Sequence, residues 1–153
     1  MIKKKLSFLL IFCLTIFLFK DFFFRGLIPL PSDTLVGMYY PYRDYFSKDY
    51  PRGIPYKNSL ITDPIRQQYP WKYLSIENWK QKKIPYWNPY SFSGMPLLAN
   101  IQSGAFYPLN IIFFLFPFAT AWGFYLYLQF LLGGWFMFLY LNNLKIRQEA
   151  SLI

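Results

Sequence analysis

Two short segments of this chain share one order of side chains. Residues 32–43 read SDTLVGMYYPYR and residues 62–72 read TDPIRQQYPWK: a hydroxyl residue, an aspartate, five or six residues, then Tyr-Pro-aromatic-basic. The aspartates, Asp33 and Asp63, lie thirty positions apart. A carboxylate in a dry, aromatic-walled pocket can serve as general base or metal ligand, because the walls tune its proton affinity. Placed before a helix or turn, the same carboxylate accepts backbone N–H groups and does no chemistry. Both readings stand for each aspartate. Arg43, Lys57, Arg66 and Lys72 follow or flank these acids. A phosphate or pyrophosphate headgroup departing at a membrane surface needs such charges, and arginine grips phosphate through two parallel hydrogen bonds. A solvated loop carries the same cations without purpose, and Lys80, Lys82 and Lys83 read as headgroup contacts or as such a face.

Other chemistry is excluded by residue type. The chain has no histidine, and its one cysteine, Cys13, lies inside an apolar run. Most zinc, haem, iron–sulfur and Cys/His nucleophile chemistry is thereby removed, as is an internal disulfide. An oxygen-ligated cation held by Asp or Glu stays open.

The segment 84–110, IPYWNPYSFSGMPLLANIQSGAFYPLN, carries no charged side chain. Pro85, Pro89, Pro96 and Pro108 fix the backbone at four points, while Gly94 and Gly104 permit turns that other residues resist. Tyr86, Trp87, Tyr90, Phe92 and Tyr107 can form amphipathic walls, at headgroup level or stacked on sugar rings. The alternative is an aromatic belt anchor with no ligand.

The elements that must position these residues point to a membrane. Of the 153 residues 55% are apolar and only 15% charged, against about 25% charged in soluble domains. The net charge is +9, but no basic stripe stands apart from the apolar segments, so anionic lipid or substrate is expected and nucleic acid is not. Residues 1–5 hold three lysines and form a cytoplasmic N-terminus. Residues 6–24 form a first transmembrane helix; no small-x-small site follows, so it reads as an uncleaved anchor rather than a signal peptide. Residues 25–107 form an extracytoplasmic loop with interfacial helices. Within it, Asp63 and Pro64 open a helix that Pro70 kinks or splits, and Ile65, Tyr69, Tyr73, Ile76 and Trp79 recur on one aromatic face, opposite a lysine-bearing one. Residues 108–118 are interfacial or re-entrant, 119–141 form a second span, and 142–153 a cytoplasmic tail. Gly133 and Gly134 leave room for close helix approach. Two spans offer a thin interface for so aromatic a loop. The chain is therefore expected to be the front of a larger polytopic protein, or a subunit that packs on one.

The pattern TDPIRQQYPW, followed by IPYWNPYSFSGMPLLAN and FYPLN, resembles the N-terminal region of the YfhO family of bacterial membrane proteins, over about residues 30–147. Trp87, Asn88, Pro89, Gly94, Pro96, Phe106, Tyr107 and Pro108 carry the likeness. It implies an α-helical transmembrane protein with the first part of a GT-C-like glycosyltransferase fold, in the bacterial cell membrane, its large loop outside the cytoplasm. The activity implied is transfer of a sugar from a polyprenyl-phosphate donor to a cell-envelope glycan or lipid acceptor. Asp63 is the better match for the acidic residue of the first external loop and Asp33 the second, with a divalent metal (Mg or Mn) on Asp63 left open. Arg66, Lys72 and Arg43 would offset the phosphate, and Trp87, Asn88, Tyr90 and Tyr107 would shape the sugar or acceptor site. The chain departs from the pattern in lacking the remaining helices, so activity of these spans alone is not expected. A non-catalytic two-span scaffold or assembly subunit, and part of a lipid-linked sugar transporter, remain the alternatives.

Overall fold

A computed structural model of the protein describes residues 4–147 and 150–152; the first three residues of the expected cytoplasmic N-terminus, and residues 148, 149 and 153 of the expected tail, lie outside the described residues. In chain order the helices are α1 (Lys4–Leu18), α2 (Lys20–Arg25), α3 (Ser32–Met38), α4 (Tyr42–Tyr45), a π-helical turn (Pro64–Gln68), α5 (Tyr69–Lys80), α6 (Ile112–Leu115) and α7 (Phe118–Asn143). Short 3₁₀ turns occupy Ile101–Ser103, Pro108–Ile111 and Ala150–Leu152. Two short strands, β1 (Trp87–Asn88) and β2 (Met95–Pro96), pair antiparallel with Trp87 opposite Pro96 and Asn88 opposite Met95. The chain divides into two units, Met1–Pro29 with Leu115–Ile153, and Leu30–Phe114.

In the first unit α1 and α7 pack along each other. Phe8 meets Trp135 and Phe138 edge to face at 5.8 and 5.4 Å, and Phe23 meets Tyr127 at 4.9 Å. The Trp135 indole N–H donates to the Phe8 carbonyl at 3.3 Å. Small residues allow the approach. A Cβ on Gly134 would come within 2.9 Å of Ile11 Cγ2, and one on Gly123 would collide with the Phe22 ring; Gly133 faces open space. Among the expected pair, then, only Gly134 sits at a close contact, and Gly123 is a second such position that spacing did not single out.

Among the described residues α7 alone is long and apolar enough to cross a membrane. Its 26 residues rise about 39 Å, against a hydrocarbon core of ~30 Å. The expected helix over 6–24 is interrupted at Phe19, where φ is −97° and ψ is 22°. The interruption is one residue wide. Phe19 N–H still donates to Thr15 O at 3.0 Å and Phe23 N–H to Phe19 O at 3.1 Å. Beyond α2, Gly26 adopts φ 66°, and its N–H and that of Leu27 return to the Asp21 carbonyl. Left-handed glycine past the last turn is the usual way to satisfy such carbonyls.

The second unit is organised on α5. Pro70 has no N–H to give, and the preceding turn widens: Tyr69 N–H reaches back five residues to the Pro64 carbonyl. The proline therefore sits in the first turn of α5, where its missing donor costs least. From there Lys72, Ser75 and Ile76 form a buried stripe at steps of three and four. The expected single aromatic face is split. Ile76 is fully buried, and Trp79 turns the same way, its indole N–H donating to the Ala105 carbonyl at 3.0 Å and its ring 5.3 Å from Phe106. Tyr69 and Tyr73 lie on a different side.

Candidate functional site

That different side lines a cleft. Arg66, Tyr69, Tyr73, Glu77 and Gln81 follow one another at helical steps of three and four, with Leu74 and Asn78 beside them. The opposite wall is the hairpin start, Trp87, Asn88, Pro89, Tyr90 and Ser91. The cavity measures about 1080 Å³, at the upper edge of the ~300–1,000 Å³ of small-molecule sites.

Local chemistry holds the hairpin wall in shape. Asn88 is 3% exposed; its side-chain oxygen accepts from Tyr90 N–H at 2.9 Å and its amide donates to Ser91 Oγ at 3.0 Å. Gly94 N–H closes the turn on the Ser91 carbonyl at 2.7 Å. Gly94 has φ 115°, and a Cβ there would stand 2.6 Å from the Trp87 ring. Only glycine lets that ring lie flat against the turn. Phe92 and Ser93 also take left-handed φ, 51° and 66°, a conformation costing on the order of 1–3 kcal/mol at a non-glycine residue.

The cleft combines five aromatic side chains with a guanidinium, a carboxylate and several amides. Arg66 stacks over the Tyr39 ring at 5.1 Å, which orients the guanidinium without neutralising it. Glu77 pairs with Lys80 at 3.0 Å, both partly exposed. Burial, then the neighbouring Tyr73, pushes the Tyr69 phenol up from 10.0. Aromatic faces match the C–H faces of sugar rings, and amides with a carboxylate match their hydroxyls.

Four of the sequence-predicted residues, Arg66, Trp87, Asn88 and Tyr90, meet in this cleft. Asp63 is exposed at the start of the π-helical turn, makes no side-chain cap bond, and is not on the cleft wall. Asp33 accepts from Thr34 N–H at 3.1 Å and from Lys57 N–H at 2.9 Å, so its carboxylate ties 57 back to α3. Arg43 and Lys57 are exposed, and Tyr107 precedes the 3₁₀ turn at Pro108.

Lys72 departs most from its expected place among the cations that would offset a substrate phosphate. It is 3% exposed, and its ammonium donates to the Gly104 carbonyl and to Asn110 Oδ1, both at 3.0 Å. The Asn110 amide returns to the Gly104 and Ala105 carbonyls at 2.8 and 3.0 Å. Burial pulls the amine from 10.5 down to about 8. Lys72 is a structural knot rather than a cleft residue.

Sequence reasoning missed Glu77, the one carboxylate on the cleft wall, because beside Lys80 it reads as an ordinary helix-surface pair. Among the described residues no three His, Cys, Asp or Glu side chains gather as a metal-ligand set. Comparison with protein-family models, with curated proteins and with solved structures returned no match to this chain.

Proposed function

We propose that the chain is the front part of a membrane-embedded glycosyltransferase, and that the cleft between α5 and the hairpin receives the sugar of a polyprenyl-phosphate donor. The observation that carries the reading is the cleft itself: Tyr69, Trp71, Tyr73, Trp87 and Tyr90 with Arg66 and Glu77 around about 1080 Å³.

The polarity of the helical pair supports its membrane part. On α1 the buried residues are Ser7 and Thr15, while Leu9, Leu10, Leu14, Phe17 and Leu18 are exposed. On α7, Phe130, Phe136, Met137 and Leu139 are exposed, while the buried residues are the small Ala121 and Gly123 together with Trp122, Tyr127, Leu131 and Phe138. Large apolar residues left facing outward on both helices suit lipid as solvent.

In the proposed reaction the acceptor hydroxyl attacks the anomeric carbon, and the bond from that carbon to the phosphate oxygen breaks. The lipid phosphate leaves with the electron pair, its charge met by Arg66. The hydroxyl proton passes to a carboxylate, Glu77 on the cleft wall or Asp63 ahead of Arg66. Trp87 and Tyr90 hold the ring. The test is titration of the complete protein in nanodiscs with a short-chain polyprenyl-phosphate sugar, read by tryptophan fluorescence, to which Trp71 and Trp87 on the cleft wall contribute. Saturable quenching is expected, with Arg66→Ala weakening it about tenfold, a loss of ~1.4 kcal/mol. No saturable change, or an unaltered Arg66→Ala, overturns the reading. A transfer assay on Asp63→Asn and Glu77→Gln then assigns the base.

A further inference from the structure

The turn at residues 89–94 presents side chains for which the fold has no use. Phe92 is 96% exposed and Tyr90 84% exposed, Tyr90 at the rim of the cleft. Neither is a floppy loop residue. The Asn88 side chain, the Gly94–Ser91 bond and the Trp87 ring on Gly94 all fix the turn that carries them. The left-handed φ of Phe92 means that the chain holds a bulky apolar ring outward in a conformation such residues avoid.

We propose that this turn enters the headgroup layer of an anionic phospholipid bilayer, with Phe92 as its leading side chain and Tyr90 beside it. The inference rests on the membrane reading above. Three observations select lipid as the occupant. First, residues 84–110 contain no charged side chain, so entry buries no ion, whereas Lys82 and Lys83 immediately before them and the net charge of +9 favour an anionic surface. Second, two aromatic rings offer roughly 300–500 Å², below the ~800 Å² per partner that a specific protein interface buries. Third, a ring and a phenol held outward on a rigid support match the boundary where one end is apolar and the other wet. A bilayer accepts such a tip without shape complementarity. The consequence is that the rim of the cleft lies at the level where a lipid-linked headgroup would be found.

The experiment uses the complete chain with Cys13→Ser, spin-labelled singly at Phe92→Cys, at Phe130→Cys on the exposed face of α7, or at Lys48→Cys as an aqueous reference. Each is reconstituted in vesicles of phosphatidylcholine and phosphatidylglycerol. Accessibility to oxygen and to a water-soluble nickel chelate is read by power saturation. The expected result is an oxygen-to-nickel ratio at 92 several-fold above that at 48, and below that at 130. A ratio at 92 equal to that at 48, with 130 in lipid, overturns the insertion and leaves the membrane reading intact. Aqueous ratios at both 92 and 130 overturn both readings. Shielding of 92 from both reagents shows a protein contact instead, and also overturns the proposal.

Discussion

The two Asp…Tyr-Pro-aromatic-basic segments reach opposite arrangements. In residues 32–43 the acid is committed and the base is outside: Asp33 takes two backbone N–H groups, and Arg43 is exposed. In residues 62–72 the base is committed and the acid is outside: Lys72 is buried on Gly104 and Asn110, and Asp63 is exposed. The cause is the place of the proline. Pro41 precedes a helix of four residues, too short to carry Arg43 onto a packed face. Pro70 sits in the first turn of a twelve-residue helix, and Lys72 falls on the stripe with Ser75 and Ile76. Like spacing in sequence does not make like roles, and an assignment made for one segment cannot be copied to the other.

The largest expected effect that tests this contrast lies at the basic ends. Lys72→Ala removes the donor to the Gly104 carbonyl and Asn110 Oδ1 and opens a cavity, a loss of about 3 kcal/mol. The unfolding midpoint of the complete chain in nanodiscs should drop clearly, and should not move for Arg43→Ala. Equal shifts would erase the contrast. At the acidic ends, Asp33→Ala leaves two backbone donors without their acceptor, costing about 1–2 kcal/mol, and Asp63→Ala leaves the midpoint where it was. A larger drop for Asp63→Ala would show that its carboxylate holds something structural.

The smallest effect is a dependence on pH. The Lys72 amine has a folded value of about 8 against 10.5 when solvated. Between these values the unfolded chain keeps a proton that the folded chain has released, so stability rises with pH. Below about 8 both states are protonated and the burial penalty is constant. Above 10.0 the Tyr69 phenol, pushed up by burial, acts in the opposite sense, because the folded chain then holds the extra proton. The midpoint should therefore rise from pH 8 to 10 in the native chain. Lys72→Met, which keeps the volume, should lack the part of that rise due to the amine; an identical rise in both would dismiss it.

How much of this could be read from residues alone differs by element. The start of the helix near Pro64, the apolar helix ahead of Asn143, and the rigid uncharged stretch were legible, because proline, periodicity and charge are local signals. Arg66, Trp87, Asn88 and Tyr90 were legible as site candidates through their types. Lys72 was not, because its acceptors lie 32 and 38 residues away and nothing beside it marks a lysine as buried. Glu77 was hidden by Lys80, a neighbour that supplies a sufficient local reason for its presence. The split of the aromatic face follows from the arc of roughly 120° over which Tyr69, Tyr73, Ile76 and Trp79 spread on α5, wide enough to meet two different neighbours.

The widened turn at Pro64–Gln68 makes the cleft wall sensitive to length in a way its composition conceals. Each residue of an α-helix turns the axis view by about 100°. Removing one residue from the wide turn, for instance Gln67, would restore a four-residue reach and rotate α5 against what precedes it by roughly that angle. Arg66, upstream of the deletion, would then turn off the line it shares with Tyr69, Tyr73 and Glu77, while Lys72, whose acceptors Gly104 and Asn110 follow α5 in the chain, would keep its place. A deletion of one neutral, half-buried residue would thus take the guanidinium off the cleft wall and leave α5 packed, whereas substitution at the same position would change little.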